Sequence, residues 1–392
     1  MDLLLKNITW ANDNGIITAD VRISHGIISE IGNGLVPSKK EKSIDLQNHF
    51  LYPGLINAHD HLEMNLYPRL GNPPYNNYTE WMRDIYKPKE SPVKEIESVD
   101  IKDRLLWGGI KNLISGATTV IHHNPWHRIF SREKFPVRVW RTDWAHSLAS
   151  EKDVKKKFPR NTIVRFVIHA AEGVDKFAQA EIPKLNQLGL LKENTVLIHA
   201  VAVNEESKKL IEQAKASVVW CPSSNLFMFG KTSPVDQLKE NIVVALGSDS
   251  TMTGPATLLE EMCVAKNTGL ATAKEIFEMA TSVPSKIFHL EKPEIKIGSR
   301  ADLWIAPMLH TDYFENILLT KPAGIRAVLF GGELRYGSNS FAKETKDKGF
   351  SVKVQGDEKW FFVDILSLKK RIESKAKDQC RQNALWKLLF NE

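Results

Sequence analysis

Residue types that bind metals stand at the ends of apolar runs in this chain. His59 and His61 close LINAHDH, His169 closes IVRFVIH, His199 closes TVLIH and Asp249 closes IVVALGSD. Imidazole nitrogens and carboxylate oxygens suit zinc and other divalent first-row cations. In extended backbone, residues two apart point the same way, so His59 and His61 aim two imidazoles to one side. An H-x-H pair alone is a weak signal, and a strand-end His or Asp is often only a cap or hydrogen-bonding partner. Four strand ends offering ligand types in one chain make a shared ion the stronger reading.

The elements that must carry these residues follow from the periodicity. The runs GLINAH, ATTVIHH, VRVWRTDWAH, IVRFVIHA, TVLIHAV, SVVWCPSSN and IVVALGSD are nearly continuous in apolar residues. Helical stretches intervene, among them 103–114 and 207–214. Such alternation predicts a parallel sheet covered on both faces. In a β/α barrel, chemistry sits at the C-terminal strand ends, where these side chains fall. Seven barrel strands are recognisable rather than eight. The stretch 123–137 is short for a crossover with its helix, so one βα unit is expected to be missing or shortened there.

Outside this region the pattern is of short strands with turns at Asp13-Asn14-Gly15, His25-Gly26, Gln47-Asn48 and Gly331-Gly332. The predicted fold is α/β: a distorted (β/α)8 TIM-type barrel with a small β-sandwich formed from both ends of the chain. The expected domains are sandwich segments 1–52 and 297–340 around a barrel at 53–296. A basic, amphipathic tail, 341–392, is read as surface helix packed on its own barrel or on a sister subunit.

The ordered series LYPGLINAHDH, VIHAAEG, VLIHAV, WCPSSNLFM and ALGSDS resembles the amidohydrolase superfamily. It is most similar to the branch containing cytosine, guanine and S-adenosylhomocysteine deaminases and the triazine hydrolases. The resemblance spans about residues 1–340. It implies that His59 and His61 ligate from the first strand, His169 from the fifth and Asp249 from the eighth. Glu172 matches the proton-shuttling glutamate of an HxxE pattern. His199 matches a sixth-strand histidine that bonds the attacking water or the substrate in mononuclear members. VRVWRTDWAH offers no Lys or Glu to bridge two metals, so one divalent ion is expected, zinc first, with iron or manganese compatible. His146 resembles a fourth-strand histidine that faces substrate, with core packing as the alternative. His122 or His123, Trp126, Arg141, Asn124, Arg69 and Phe227 are further candidates for the substrate wall. Asn225 is expected to hold a loop, and Ser248 and Ser250 to orient Asp249.

The expected reaction is hydrolysis of a C–N bond in a small cyclic or heteroaromatic molecule, foremost deamination. Amide hydrolysis on the same site is the alternative, and a non-catalytic binding barrel is a third reading. Composition excludes other classes. The 392 residues are 42% hydrophobic and 26% charged, as in soluble globular proteins, and no apolar run reaches bilayer length. The net charge of +6 is gathered partly in the tail and reads as solvated surface, so neither nucleic acid nor membrane is expected as a partner. Three scattered cysteines and a start without signal-peptide character fit the cytoplasm, with a homodimer the default oligomer.

Overall fold

The computed structural model describes residues 2–12 and 15–390, so the expected turn at Asp13-Asn14 lies outside the described residues. Among them, eight short strand segments supply the parallel part of the fold: β1 (Leu55–Asp60), β2 (Ala117–His122), β3 (Arg138–Trp140), β4 (Asp143–Ala145), β5 (Phe166–Ala170), β6 (Thr195–His199), β7 (Ser217–Trp220) and β8 (Val244–Leu246). One parallel sheet has the order β1-β2-β3 and another the order β8-β7-β6-β5-β4. Their first and last strands meet at the C-terminal end, where the amides of Ser248 and Asp249 both donate to the carbonyl of His59 at 3.1 Å. Gly247 permits this approach, because a Cβ there would stand 2.7 Å from that of His59.

VRVWRTDWAH is interrupted but adds no further βα unit: β3 ends at Trp140 and pairs with β2, while β4 begins at Asp143 and pairs with β5. Two linking residues are far too few for the crossover that neighbouring parallel strands require, so β3 and β4 are segments of one bent strand that bridges the two sheets. Between β2 and this strand, 123–137 carries no α-helix. That stretch holds only a 3-10 turn, Arg128–Ser131. SVVWCPSSN also divides, into β7 and a helix, Pro222–Phe229, with Pro222 at its first position as helix starts favour.

Both chain ends enter one mixed sheet of ten strands. Its central contact pairs His49–Pro53 with Leu303–Pro307, antiparallel, immediately before the chain enters β1. The Gly331-Gly332 turn has φ of 58° and 74°, as a two-residue hairpin requires. The tail is less separate than its sequence suggests. Its hairpin Phe350–Val354 and Asp357–Phe361 extends the same sheet, and Ile365–Cys380 and Ala384–Phe390 are helices packed into the main core. No helix among the described residues is long and apolar enough to cross a membrane.

Candidate metal centre and its proton-transfer groups

The strand ends converge. His59 and His61 leave β1 and its end two residues apart, His169 lies on β5, and Asp249 follows β8. The Nε2 of His169 lies 3.3 Å from that of His59 and 3.3 Å from that of His61. Those nitrogens are closer together than the ring centres, at 5.0 and 5.3 Å, so the rings aim at one point. Two donors about 2.1 Å from one ion at a tetrahedral angle lie about 3.4 Å apart, so the spacing fits a single zinc-sized cation. Asp249 Oδ1 stands 3.8 Å from His59 Nε2 and 3.7 Å from His61 Nε2, on the open side of the cluster.

The electrostatics also fit a cation. Burial pushes His59 and His169 well below the ordinary imidazole range, with neighbouring imidazoles adding to it, so both rings are neutral and offer lone pairs. His169 Nδ1 is 2.7 Å from the carbonyl of His146, which fixes the tautomer with Nε2 free. Burial alone would raise Asp249, but His61, His199 and hydrogen bonds from Ser224 Oγ (2.8 Å) and the Ser250 amide (2.8 Å) hold it below its usual value. Thr253 Oγ1 reaches the same carboxylate at 3.2 Å. The expected Ser248 and Ser250 hydroxyls do not bond it. Ser248 Oγ instead meets the Asp249 backbone carbonyl at 3.3 Å.

A fourth histidine, His123, brings ring nitrogens within 4.8 Å of those of His59, His61 and His169. Its ring is stacked on His169 with centroids 4.4 Å apart and planes within 4°. Its Nε2 faces the carbonyl of Ala145 at 3.0 Å. With Nε2 at that carbonyl, Nδ1 is the His123 nitrogen left for the cluster, so Asp249 and His123 are the two candidates for a fourth donor.

Glu172 Oε1 lies 3.4 Å from His199 Nε2. Burial raises the Glu172 carboxyl well above its usual range, and the charges of Asp249 and Glu181 push the same way. His199 Nδ1 is 2.9 Å from Asn225 Oδ1, which makes Nδ1–H the donor and turns the Nε2 lone pair toward Glu172. Asn225 thus sets a tautomer from the helix and, as expected, also holds a loop, its Nδ2 donating to Thr232 Oγ1 at 3.3 Å. Ala171, His199, Ala200 and Asp249 all have positive φ, between 50° and 74°. Such backbone is sparsely populated by non-glycine residues and is concentrated here where side chains leave the strand ends.

These groups face a cavity of about 120 Å³, which also takes in Tyr78, Trp81, His146, Met228 and Met252. His146 is half-buried and neutral, its pKa pushed down to about 4 by burial and by His61. His122, Trp126 and Arg141 were expected beside it. They line a different cavity next to β3 and β4 instead. Asn124 joins them and donates to Glu63, while Arg69 lies over the Phe227 ring at 4.9 Å.

Two buried charged residues escaped the sequence reading. Lys111, on the helix Ile101–Leu113, is fully buried beneath the centre. Its Nζ donates to the Asp249 carbonyl at 2.6 Å, to Ser248 Oγ at 3.0 Å and to Asp60 Oδ2 at 3.4 Å. Asn57, Asn65 and Asn112 complete the shell around Asp60. Glu181, on the helix Lys176–Gln187, accepts from the Ala171 amide at 2.8 Å and the Tyr78 hydroxyl at 3.3 Å. It thereby grips the turn between His169 and Glu172. The one available signal was a lysine inside the apolar run WGGIKNLI.

Comparison with known proteins agrees with this geometry. Residues 142–335 match the sequence profile of the amidohydrolase family. The chain is 27% identical to a 5-methylthioadenosine/S-adenosylhomocysteine deaminase of Pyrococcus furiosus, across 77% of this chain and 85% of that one. It is 23% identical to a 5'-deoxyadenosine deaminase of Methanosphaera stadtmanae, across 78% and 85%. In fold it is similar to a zinc-bound adenosine deaminase from Xanthomonas campestris, with a TM-score of 0.74, 17% identity and coverage of 97% and 98%.

Proposed function

We propose that this relative of the amidohydrolases is a metal-dependent hydrolase that deaminates a small heteroaromatic substrate, with a purine ring or purine nucleoside the first choice. The carrying observation is the convergence of three imidazoles and one carboxylate, with Glu172 and His199 paired beside them. The names of the deaminase relatives support the substrate class. The three-nitrogen, one-oxygen donor set and the zinc-bound structural neighbour support zinc as the single ion, held by His59, His61, His169 and Asp249. We read the parallel strands as a distorted (β/α)8 barrel, and the mixed sheet as the sandwich flanking it. Three free cysteines support a cytoplasmic setting.

When bound, such an ion lowers the pKa of a coordinated water toward neutrality and so makes it a nucleophile. Asp249, ionised and held by Ser224 and Thr253, takes a proton as a C–O bond forms at the amine-bearing carbon. Glu172, protonated through its burial, gives its proton to the adjacent ring nitrogen. It then passes a proton from the oxygen to the amine as the C–N bond breaks and ammonia leaves. His199, neutral and fixed by Asn225, faces the same space with Nε2. His146 is placed to contact substrate from the other wall. The cavity of about 120 Å³ is small beside the ~300–1,000 Å³ of ordinary ligand pockets, so it admits a ring rather than a long chain without movement.

Ammonia release from adenosine, S-adenosylhomocysteine, guanine and cytosine by the zinc-loaded protein tests this reading. Activity is expected on at least one purine substrate. Glu172→Gln is expected to lower kcat by ~10²–10⁴ with metal content and melting temperature retained. A fully metallated protein that releases ammonia from none of the four would overturn the deaminase reading.

A further inference from the structure

A second cavity, about 420 Å³, lies where β3 passes to β4. It shares no lining residue with the histidine cavity. The link between those strands is Arg141-Thr142 alone, without a covering helix, and this leaves the space open. Its volume falls in the range of small-molecule pockets. Trp126, Trp140 and Trp144 line it, offering flat apolar faces on which an aromatic ring can stack.

Charge at the rim selects an anion. Lys156 and Lys157 are paired with Asp153 and Glu151, and Lys157 Nζ lies 4.8 Å from the Trp144 ring centre. Arg141 is exposed and has no ion-pair partner among the described residues. Asp143 brings one carboxylate into the lining, which disfavours ligands of high negative charge. A guanidinium beside indole faces recognises a ring bearing a carboxylate or phosphate.

We propose that this cavity is a second binding site for a planar aromatic molecule with one anionic group. The ring stacks among Trp126, Trp140 and Trp144, and the anion meets Arg141. The site stands whether or not the histidine centre deaminates.

Titration of the full-length, zinc-loaded protein with 2-naphthoate, 2-naphthyl phosphate and uncharged 2-naphthol tests it, by tryptophan fluorescence and calorimetry. At least one of the two anions is expected to quench saturably, and whichever binds identifies the anionic group. The neutral compound should bind at least about tenfold more weakly, the loss expected for one charge-assisted hydrogen bond. Arg141→Gln should weaken the anion by the same factor and leave naphthol unchanged. His61→Asn, which strips the metal centre, should leave anion binding intact. No saturable binding of either anion below about 1 mM, affinity indifferent to Arg141→Gln, or binding lost in His61→Asn would overturn the proposal.

Discussion

Lys111 sits in an apolar helix face with its ammonium group among Asp60, Ser248 and the Asp249 carbonyl, and it has no route to water. Removing one member of a buried ion pair leaves the other uncompensated. Lys111→Met is therefore expected to cost about 3–5 kcal/mol, read as a lower denaturant midpoint, with partial recovery in Lys111→Met/Asp60→Asn. A loss under about 1 kcal/mol would mean that Lys111 is dispensable. His169→Ala, by contrast, should leave the fold standing and strip the ion, measured as metal content after dialysis. The two residues also differ in legibility. A candidate ligand at a strand end announces itself through residue type and place, as His59, His61, His169 and Asp249 do. Nothing in WGGIKNLI says which wall Lys111 faces, because its partners come from three distant segments.

At the scale of elements, the turn that follows β5 depends on Glu181. Burial raises that carboxyl to about 7, against attraction from the Ala171 amide and Tyr78. A folded-state pKa above the unfolded one favours the protonated form in the native protein. The stabilisation is complete below about pH 4.5 and is lost as pH rises through about 7. Melting temperature measured from pH 5 to 8 should fall less steeply in Glu181→Gln than in the parent, and an identical slope would remove Glu181 from this role. Element boundaries were readable where apolar runs were long, as for β5 and β6. At VRVWRTDWAH the hydropathy pattern did not show the bend at Arg141-Thr142 that breaks the run into two paired segments. The position of Trp126, Arg141 and His122 could not be had from sequence either, because residue type does not say which cavity a strand-end side chain lines.

For the molecule as a whole, the tail reaches the front of the metal centre. Asn383 Nδ2 donates to the carbonyls of Asn65 (3.0 Å) and Tyr67 (2.6 Å) and to Thr251 Oγ1 (3.1 Å), and Trp386 packs on Trp107 at 5.3 Å. These contacts fix the segments that follow His61 and Asp249. Asn383→Ala should cost about 1–3 kcal/mol by orphaning buried acceptors, and should raise KM more than it lowers the stability of the metal site, as steady-state kinetics beside metal affinity would show. The sequence marked the tail as amphipathic but could not show what it covers, since the partner surface is assembled from residues more than a hundred positions away. During synthesis, a ribosome that has delivered the first 250 residues has already made His59, His61, His169 and Asp249. The segments behind two of them still lack their anchor until position 383 emerges, so a nascent chain should acquire its working pocket only after that residue has left the ribosome.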